Sequence, residues 1–205
     1  DGEAPAANAT TPNIQVLNTE NFNDTTFGSW NQMTVLGDTS WIIDPIHGVN
    51  TSPCAKASGY FEGASHITEM WLFSPSFDLS HYTGGVLTFK TAKNYVGTNL
   101  KALISTDWNG ISDPNEFTWD TLVATYSAGG WAWTSSGNVD ISAYTGSNVH
   151  IAFMFSSTDA ASSTWEVDDI TVMAIPSFNL PVVSTNPAFT DVTFNSATGG
   201  GNVTD

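Results

Sequence analysis

From Ile14 onward the chain is a succession of short runs, each about the length of a β-strand, parted by clusters of Gly, Ser, Asn and Asp. They read IQVLNTENF, MTVLGD, SWIID, EMWLFS, GVLTFKTAKNY, LKALISTD, WDTLVATYS, GNVDIS, NVHIAFMFSS and TWEVDDITVMAI. That spacing of strand-length runs and turn signals suits a β-sandwich or barrel. No stretch carries the apolar repeat of an amphipathic helix. With no helix to cover the sheet edges, the strands must close on one another. HIAFMF and GVLTFKT are apolar enough to lie mid-sheet, while YTGG, SAGG and AYTGS supply turn residues. The 205 residues leave room for one large domain, or a medium domain plus a fragment, with a real core.

The two ends differ from this pattern. DGEAPAANATTPN has almost nothing to bury, so residues 1–13 are expected to form an N-terminal linker and residues 14–176 the sandwich domain. Beyond Pro176, PSFNLPVVSTNP is a Pro-bounded spacer, and AFTDVTFNSATGGGNVTD reads as a strand, a glycine turn and the beginning of another strand. This tail resembles the first strands of a bacterial immunoglobulin-like or fibronectin-type repeat. The resemblance implies that residues 177–205 lead into other domains of a longer chain.

Charge narrows the partners. Twenty acidic residues face four basic ones, Lys56, Lys90, Lys93 and Lys101, for a formal charge of −16. Nucleic-acid binding draws most of its affinity from Lys and Arg set against phosphates, so direct nucleic-acid binding is not expected. Anionic membranes are disfavoured for the same reason. Neutral polysaccharide, protein surfaces and divalent cations remain compatible partners. A hydrophobic fraction of 40% with 12% aromatics separates the chain from disordered acidic tails. Cys54 is the single cysteine, so no intrachain disulfide forms. No run approaches the roughly 20 apolar residues of a membrane span, and no membrane insertion is expected. No basic segment precedes an apolar one at the N-terminus, so any export signal is expected to have been removed.

Four segments, taken in order, carry a family resemblance. They are ENFND (Glu20 to Asp24), MWLFSPSFDLSHYTGGVLTF (Met70 to Phe89), VDISAYTGSNVHIAFMF (Val139 to Phe155) and TWEVDDITV (Thr164 to Val172). Together they resemble the choice-of-anchor J or cleaved-adhesin family, related in fold to MAM-like and carbohydrate-binding jelly rolls. Its members show WLISP…DLS, DLSAY…V.I.F and a closing W.IDD..V. The stretch TFKTAKNYVGTNLKALISTDWNGISDP is further similar to such domains in secreted proteins of Bacteroidetes-like bacteria, sometimes beside nuclease or hydrolase domains. The resemblance implies an all-β, two-sheet antiparallel jelly-roll β-sandwich. It also implies a non-catalytic accessory role in a secreted or cell-surface bacterial protein, and frequently a structural calcium ion.

The closing segment WEVDDITV allows two chemistries. Retaining glycosidases on concanavalin-like sandwiches carry Glu-x-Asp-x-x-Glu on one strand, because two carboxylates must flank the glycosidic bond about 5 Å apart. Glu166 and Asp168 fit, but the third position is Thr171, which cannot protonate a leaving group, so this reading is set aside. Strict alternation places Glu166, Asp168, Ile170 and Val172 on one core-facing side and Asp169 on the other. Core-facing carboxylates need a partner or a cation, and calcium accepts roughly six to eight oxygen ligands. In the family the first strand meets this closing strand around the metal. The resemblance therefore implies Ca2+ held by Glu20, Asn23, Glu166 and Asp168, with Asn21 adjacent. Asn23 stands where an acid is usual, which should weaken the site. The alternative is that Asp168 and Asp169 accept backbone and Ser/Thr hydrogen bonds near a loop.

Other candidates are weighed in the same way. Asp107, Asn109 and Asp113 have the composition of a calcium loop, but Gly110 falls in the wrong register for an EF-hand, so a plain turn is expected. Trp131 and Trp133 in GGWAWTSSG share one side of an extended segment, where paired indoles could stack on sugar rings. Trp108 and Tyr95 are further loop aromatics expected as ligand-binding residues, with core or edge packing as the alternative. His47, His66, His81 and His150 show no metal-ligand spacing, and His150 reads as a sheet residue. The resulting expectation is a non-catalytic accessory module that binds carbohydrate, or mediates adhesion to a polysaccharide or a cell-surface glycan or protein. A structural spacer beside a secreted hydrolase or nuclease is the alternative, and a glycoside hydrolase a distant third.

Overall fold

The computed structural model describes residues 13–177, 182–185, 193–195 and 201–204. In chain order its strands are β1 (Gln15–Glu20), β2 (Asn31–Leu36), β3 (Ile42–Asp44), β4 (Cys54–Ser58), β5 (Tyr60–Phe61), β6 (Ala64–Ser65), β7 (Thr68–Phe73) and β8 (Tyr82–Asn94). There follow β9 (Lys101–Ser105), β10 (Asp120–Thr121), β11 (Thr134–Ser135), β12 (Val139–Asp140), β13 (His150–Ser157), β14 (Thr164–Pro176), β15 (Val182–Thr185) and β16 (Gly201–Thr204). One sheet runs β11-β8-β14-β4-β3, with β1 also on β14 and β12 also on β8; the other runs β10-β9-β13-β7-β2. The pairings are antiparallel.

The inner faces of the two sheets make a single core. Leu87 and Phe89 of β8 and Val167 and Val172 of β14 belong to the same buried cluster as Leu72 of β7, Ile104 of β9, and Phe153 and Phe155 of β13. This is the two-sheet jelly-roll sandwich that the sequence led one to expect. A second cluster, Trp71, Phe73, Leu103, Trp108 and Ala152, covers the outer face of the five-stranded sheet. Both faces of β7 and β13 are thus buried, which is why EMWLFS and HIAFMF read as near-continuous apolar runs instead of alternating ones.

Two strands depart from expectation. WDTLVATYS yields only the two-residue β10, although Leu122 beyond it is buried in the core. CAKAS was not among the expected runs, since Ala, Lys and Ser carry little strand preference, yet it forms β4 between β14 and β3, where Ala55 and Ala57 are fully buried.

The main correction lies on β14. Its ladder with β8 runs from Thr164↔Asn94 to Asp168↔Lys90 and resumes at Thr171↔Thr88, leaving one extra residue on β14. Asp169, in this β-bulge, has φ +49°, in the left-handed region. An extra residue inverts the side-chain phase. Trp165 and Val167 face the core before the bulge, and Ile170 and Val172 after it. Glu166 and Asp168 therefore lie on the outer face of the seven-stranded sheet, not in a core-facing row with Ile170 and Val172. The bulge also falls where β14 changes partner on its other edge, from β4 (Thr164 to Val167) to β1 (Ile170 to Ala174).

At the ends, the linker expected over residues 1–13 lies outside the described residues except for Asn13, as do residues 186–192 and 196–200. β15 pairs with β16 from Val182↔Thr204 to Thr185↔Gly201, so a strand occupies part of the segment read as a spacer.

Candidate functional site

Asp168 is fully buried. Its Oδ2 accepts from the Val49 N–H at 2.8 Å and the Ser52 hydroxyl at 3.3 Å, and its Oδ1 from the Asp169 N–H at 2.7 Å. It thereby ties the short 3-10 turn Val49–Thr51 to the bulge. Burial raises its carboxyl, and these donors act against the rise. Glu20, at the end of β1, accepts the Phe22 N–H on Oε1 at 2.8 Å. Its carboxyl is raised first by burial, and the nearby charges of Asp24 and Asp168 push the same way. Gly28, with φ +57°, packs against this carboxylate, so a side chain there would be strained and would push the Glu20 carboxylate aside. Asn23 is exposed, its N–H donated to Asn21 Oδ1 at 3.2 Å. Of the four expected metal ligands, Glu20 feels the Asp168 charge weakly, Asn23 sits in the turn beyond β1, and Glu166 faces elsewhere.

Glu166 lies opposite Lys56 of β4 and Ala92 of β8. It is 2% exposed. Together with His47, Lys56 and Trp131 it lines a cavity of about 340 Å³. Burial lifts its carboxyl to about 7; Lys56 opposes the rise and Asp44 adds to it. Among the described residues its carboxyl has no hydrogen-bond or ion-pair partner. Asp44 of β3 is buried too, but it is well supplied with donors. Its Oδ2 takes Lys56 Nζ at 2.8 Å; its Oδ1 takes the N–H groups of Ile46 and His47 at 3.2 Å each and His47 Nδ1 at 2.8 Å. Burial alone would raise this carboxyl, and the bonds from Lys56 and His47 bring it down to about 2. Asp44, His47 and Glu166 offer ligand atoms within 4.8 Å of one another, a spacing at which the three could hold a metal ion. Trp133 Nε1 donates to the His47 carbonyl at 3.3 Å and pins this turn over the sheet.

Lys56 also lines a larger cleft of about 1010 Å³, together with Ile42, Tyr60, Tyr95, Val96 and Thr164. The two hollows share Lys56 and lie side by side over the outer face of the seven-stranded sheet, and are together called the groove. Tyr95 and Trp131 are 65% and 38% exposed and meet edge to face, with centroids 5.9 Å apart and planes at 89°. Both hold left-handed backbone, φ +65° and +60°. Such strain in non-glycine residues clusters at functional sites. The Trp131 N–H is fixed on the Lys93 carbonyl at 2.9 Å.

The structure therefore brings together two of the four aromatics expected to bind ligand. Trp133 is half-buried with its indole N–H in use, and the left-handed Gly130 and Trp131 rule out the extended segment expected for the pair. Trp108 requires a correction. It is 2% exposed, stacks on Phe73 at 4.1 Å and donates its Nε1 to the Ser112 carbonyl, so it is a packing residue with no face free for a ligand. The expected plain turn is present: Asn109 Oδ1 accepts the N–H groups of Ile111 and Ser112, and Asp113 accepts that of Asn115. His150 is buried in β13, edge-on to Trp108. The residues that sequence reasoning missed are Asp44, His47, Lys56 and Tyr60. DPIHG carried a signal, since Asp before Pro and Gly marks a side-chain-closed turn; Lys56 on the unpromising β4 carried none.

No family model and no curated relative matches the chain. Solved structures do. Two cleaved adhesin domains of Lys-gingipain from Porphyromonas gingivalis are each 21% identical with a TM-score of 0.57. One alignment covers 80% of this chain and 99% of that domain, the other 77% and 98%. A Clostridium thermocellum xylanase 10B structure containing a carbohydrate-binding and a catalytic module, complexed with xylohexaose, is 14% identical with a TM-score of 0.50, covering 82% of this chain and 30% of that one. Among the described residues no helix is long and apolar enough to cross a membrane. At these identities the likeness is one of fold, and the fold is that of the cleaved adhesin domains.

Proposed function

We propose that this chain is a non-catalytic accessory module of an exported bacterial protein, akin to the choice-of-anchor J and cleaved-adhesin group, that binds a polysaccharide or cell-surface glycan along the groove. The observation that carries this reading is the exposed Tyr95–Trp131 pair, held by strained backbone beside a cleft that also contains hydroxyl, ammonium and carboxyl groups. Concave sites with aromatic walls and a few placed polar groups are the usual form of small-ligand sites. A non-catalytic role is supported by Thr171, which denies Glu166 and Asp168 a third carboxylate, and by the three donors that occupy Asp168. The tail beyond Pro176 is read as the first strands of an immunoglobulin-like or fibronectin-type repeat, supported by the pairing of β15 with β16.

A structural calcium ion belongs to the same reading, held where β1 meets β14 by Glu20 and Asp168 with Asn23 from the adjoining turn. Its support is the convergence of Glu20 with the charges of Asp24 and Asp168, which a divalent cation would relieve. Glu166 is left out of this set, because the cavity it lines is not lined by the other three.

Affinity electrophoresis through gels containing xylan, mannan, β-glucan or galactan tests the glycan reading. Retardation in at least one gel, lost in the Tyr95→Ala/Trp131→Ala double variant, is the expected result. Unretarded migration in all of them, with no binding on a glycan array, overturns it and leaves the spacer role.

A further inference from the structure

Within this glycan reading, on which the inference rests, we propose that the smaller cavity is a subsite for one neutral pyranose unit. Neighbouring hydroxyls of the sugar bridge the Glu166 carboxyl and the Lys56 ammonium, and an apolar face of the ring lies against Trp131. The argument starts from Glu166, a carboxyl withdrawn almost wholly from solvent, with no protein partner among the described residues, lining a cavity of about 340 Å³. Whatever displaces solvent from this cavity must give the carboxyl a hydrogen bond, because a buried polar group left without one is costly.

The groups around Glu166 limit what that occupant can be. Lys56 sits directly across the strand pair. One of its three donors is spent on Asp44, which leaves two. His47 commits Nδ1 to Asp44 and keeps Nε2 for the rim. An anion would meet Glu166 and Asp44 on a chain of formal charge −16. A metal ion would have to displace the Lys56 ammonium from Asp44 and lie beside that positive charge. An apolar ligand would leave Glu166 stranded. A neutral ring with adjacent hydroxyls, each able to donate and accept, satisfies Glu166 and Lys56 together and uses the indole wall as well. Lys56 lies in both hollows, so the remaining units of a chain bound at this subsite extend into the larger cleft.

Saturation-transfer NMR with the methyl glycosides of xylose, glucose, mannose and galactose reads weak monosaccharide binding directly, with glucuronate and zinc chloride as the anionic and metal probes. The expected result is binding of at least one neutral glycoside, weakened about tenfold by Trp131→Ala and about tenfold by Glu166→Gln, which keeps the shape but loses the charge-assisted bond. Tyr60→Ala, confined to the larger cleft, should leave the monosaccharide unaffected and weaken only a longer oligosaccharide. Circular dichroism confirms that each variant is folded. If gels containing polysaccharide retard wild type and Glu166→Gln alike while no methyl glycoside binds, the subsite is wrong and the groove reading stands. If no sugar of any length binds, both fall. Zinc binding that is lost in His47→Ala, without sugar binding, replaces the sugar with a metal.

Discussion

Asp44 and Glu166 are both buried, with opposite results. Lys56 and His47 hold the Asp44 carboxyl near 2, so its contribution to stability is present above the ordinary 3.8 and is lost as pH falls toward 2. Glu166 has no such donors and is raised from 4.5 to about 7. Below 4.5 both the folded and the unfolded chain hold its proton, and the group contributes nothing. Between 4.5 and 7 the unfolded chain releases the proton first, so stability falls as pH rises, and above 7 the loss is complete. Because the group opens onto a cavity, the effect is discounted to about 2 kcal/mol. Glu166→Gln should therefore stabilise the protein more at pH 8 than at pH 5, by about that difference. Urea unfolding of both proteins at the two pH values measures it. An equal effect at both would mean that the carboxyl is solvated or paired. None of this was legible beforehand: the sequence showed an acidic pair on a strand, but which acid would find donors depended on Lys56 and the Asp44 turn, far away in the chain.

At the level of elements, sequence periodicity reported the strands well and their facing badly, and one residue accounts for that. Asp169 inserts a bulge, so two correct half-patterns, Trp165/Val167 and Ile170/Val172, are joined out of phase. Aspartate tolerates the left-handed backbone that the bulge requires, whereas a β-branched residue does not. Asp169→Val should lower stability by about 1–2 kcal/mol, while Asp169→Gly should stay within about 0.5 kcal/mol of wild type. The Lys90 ion pair that both variants lose is exposed and contributes little. Equal losses in thermal melts of the two would assign the effect to that pair and not to the backbone. The segment over the outer face of the five-stranded sheet was likewise misread, because a loop tryptophan looks the same in sequence whether it packs or projects. Trp108→Ala should destabilise by about 3 kcal/mol or more, as truncations of buried aromatics do, and Trp131→Ala by less than about 1 kcal/mol. Denaturant midpoints for the two variants decide between them; similar shifts would put Trp131 in the packing as well.

For the whole molecule, strand-length runs without helices limited the fold to a sandwich or barrel, and the family resemblance selected the jelly roll; the charge of −16 bears on how ions act on it. A chain with twenty acidic and four basic side chains gains from any cation, so a calcium effect has to be separated from general screening. The proposed site does this by position. It joins the end of β1 to the bulge of β14, at the point where β14 changes partner, and an ion there binds only the folded arrangement. Stability should then rise with free calcium by about 2.7 kcal/mol at a hundredfold excess over the dissociation constant, while sodium chloride at matched ionic strength gives a smaller rise. Asp168→Asn should lower the melting temperature even in chelator, because Asp168 also holds Val49, Ser52 and Asp169. The diagnostic quantity is therefore the increment between calcium and chelator. That increment should vanish in Asp168→Asn and Glu20→Gln and persist in Glu166→Gln, whose carboxyl faces the other cavity. Calorimetry on the four proteins settles it: coincident wild-type curves in calcium and chelator would mean that protein donors alone hold Glu20 and Asp168, and an increment abolished by Glu166→Gln would return that residue to the metal.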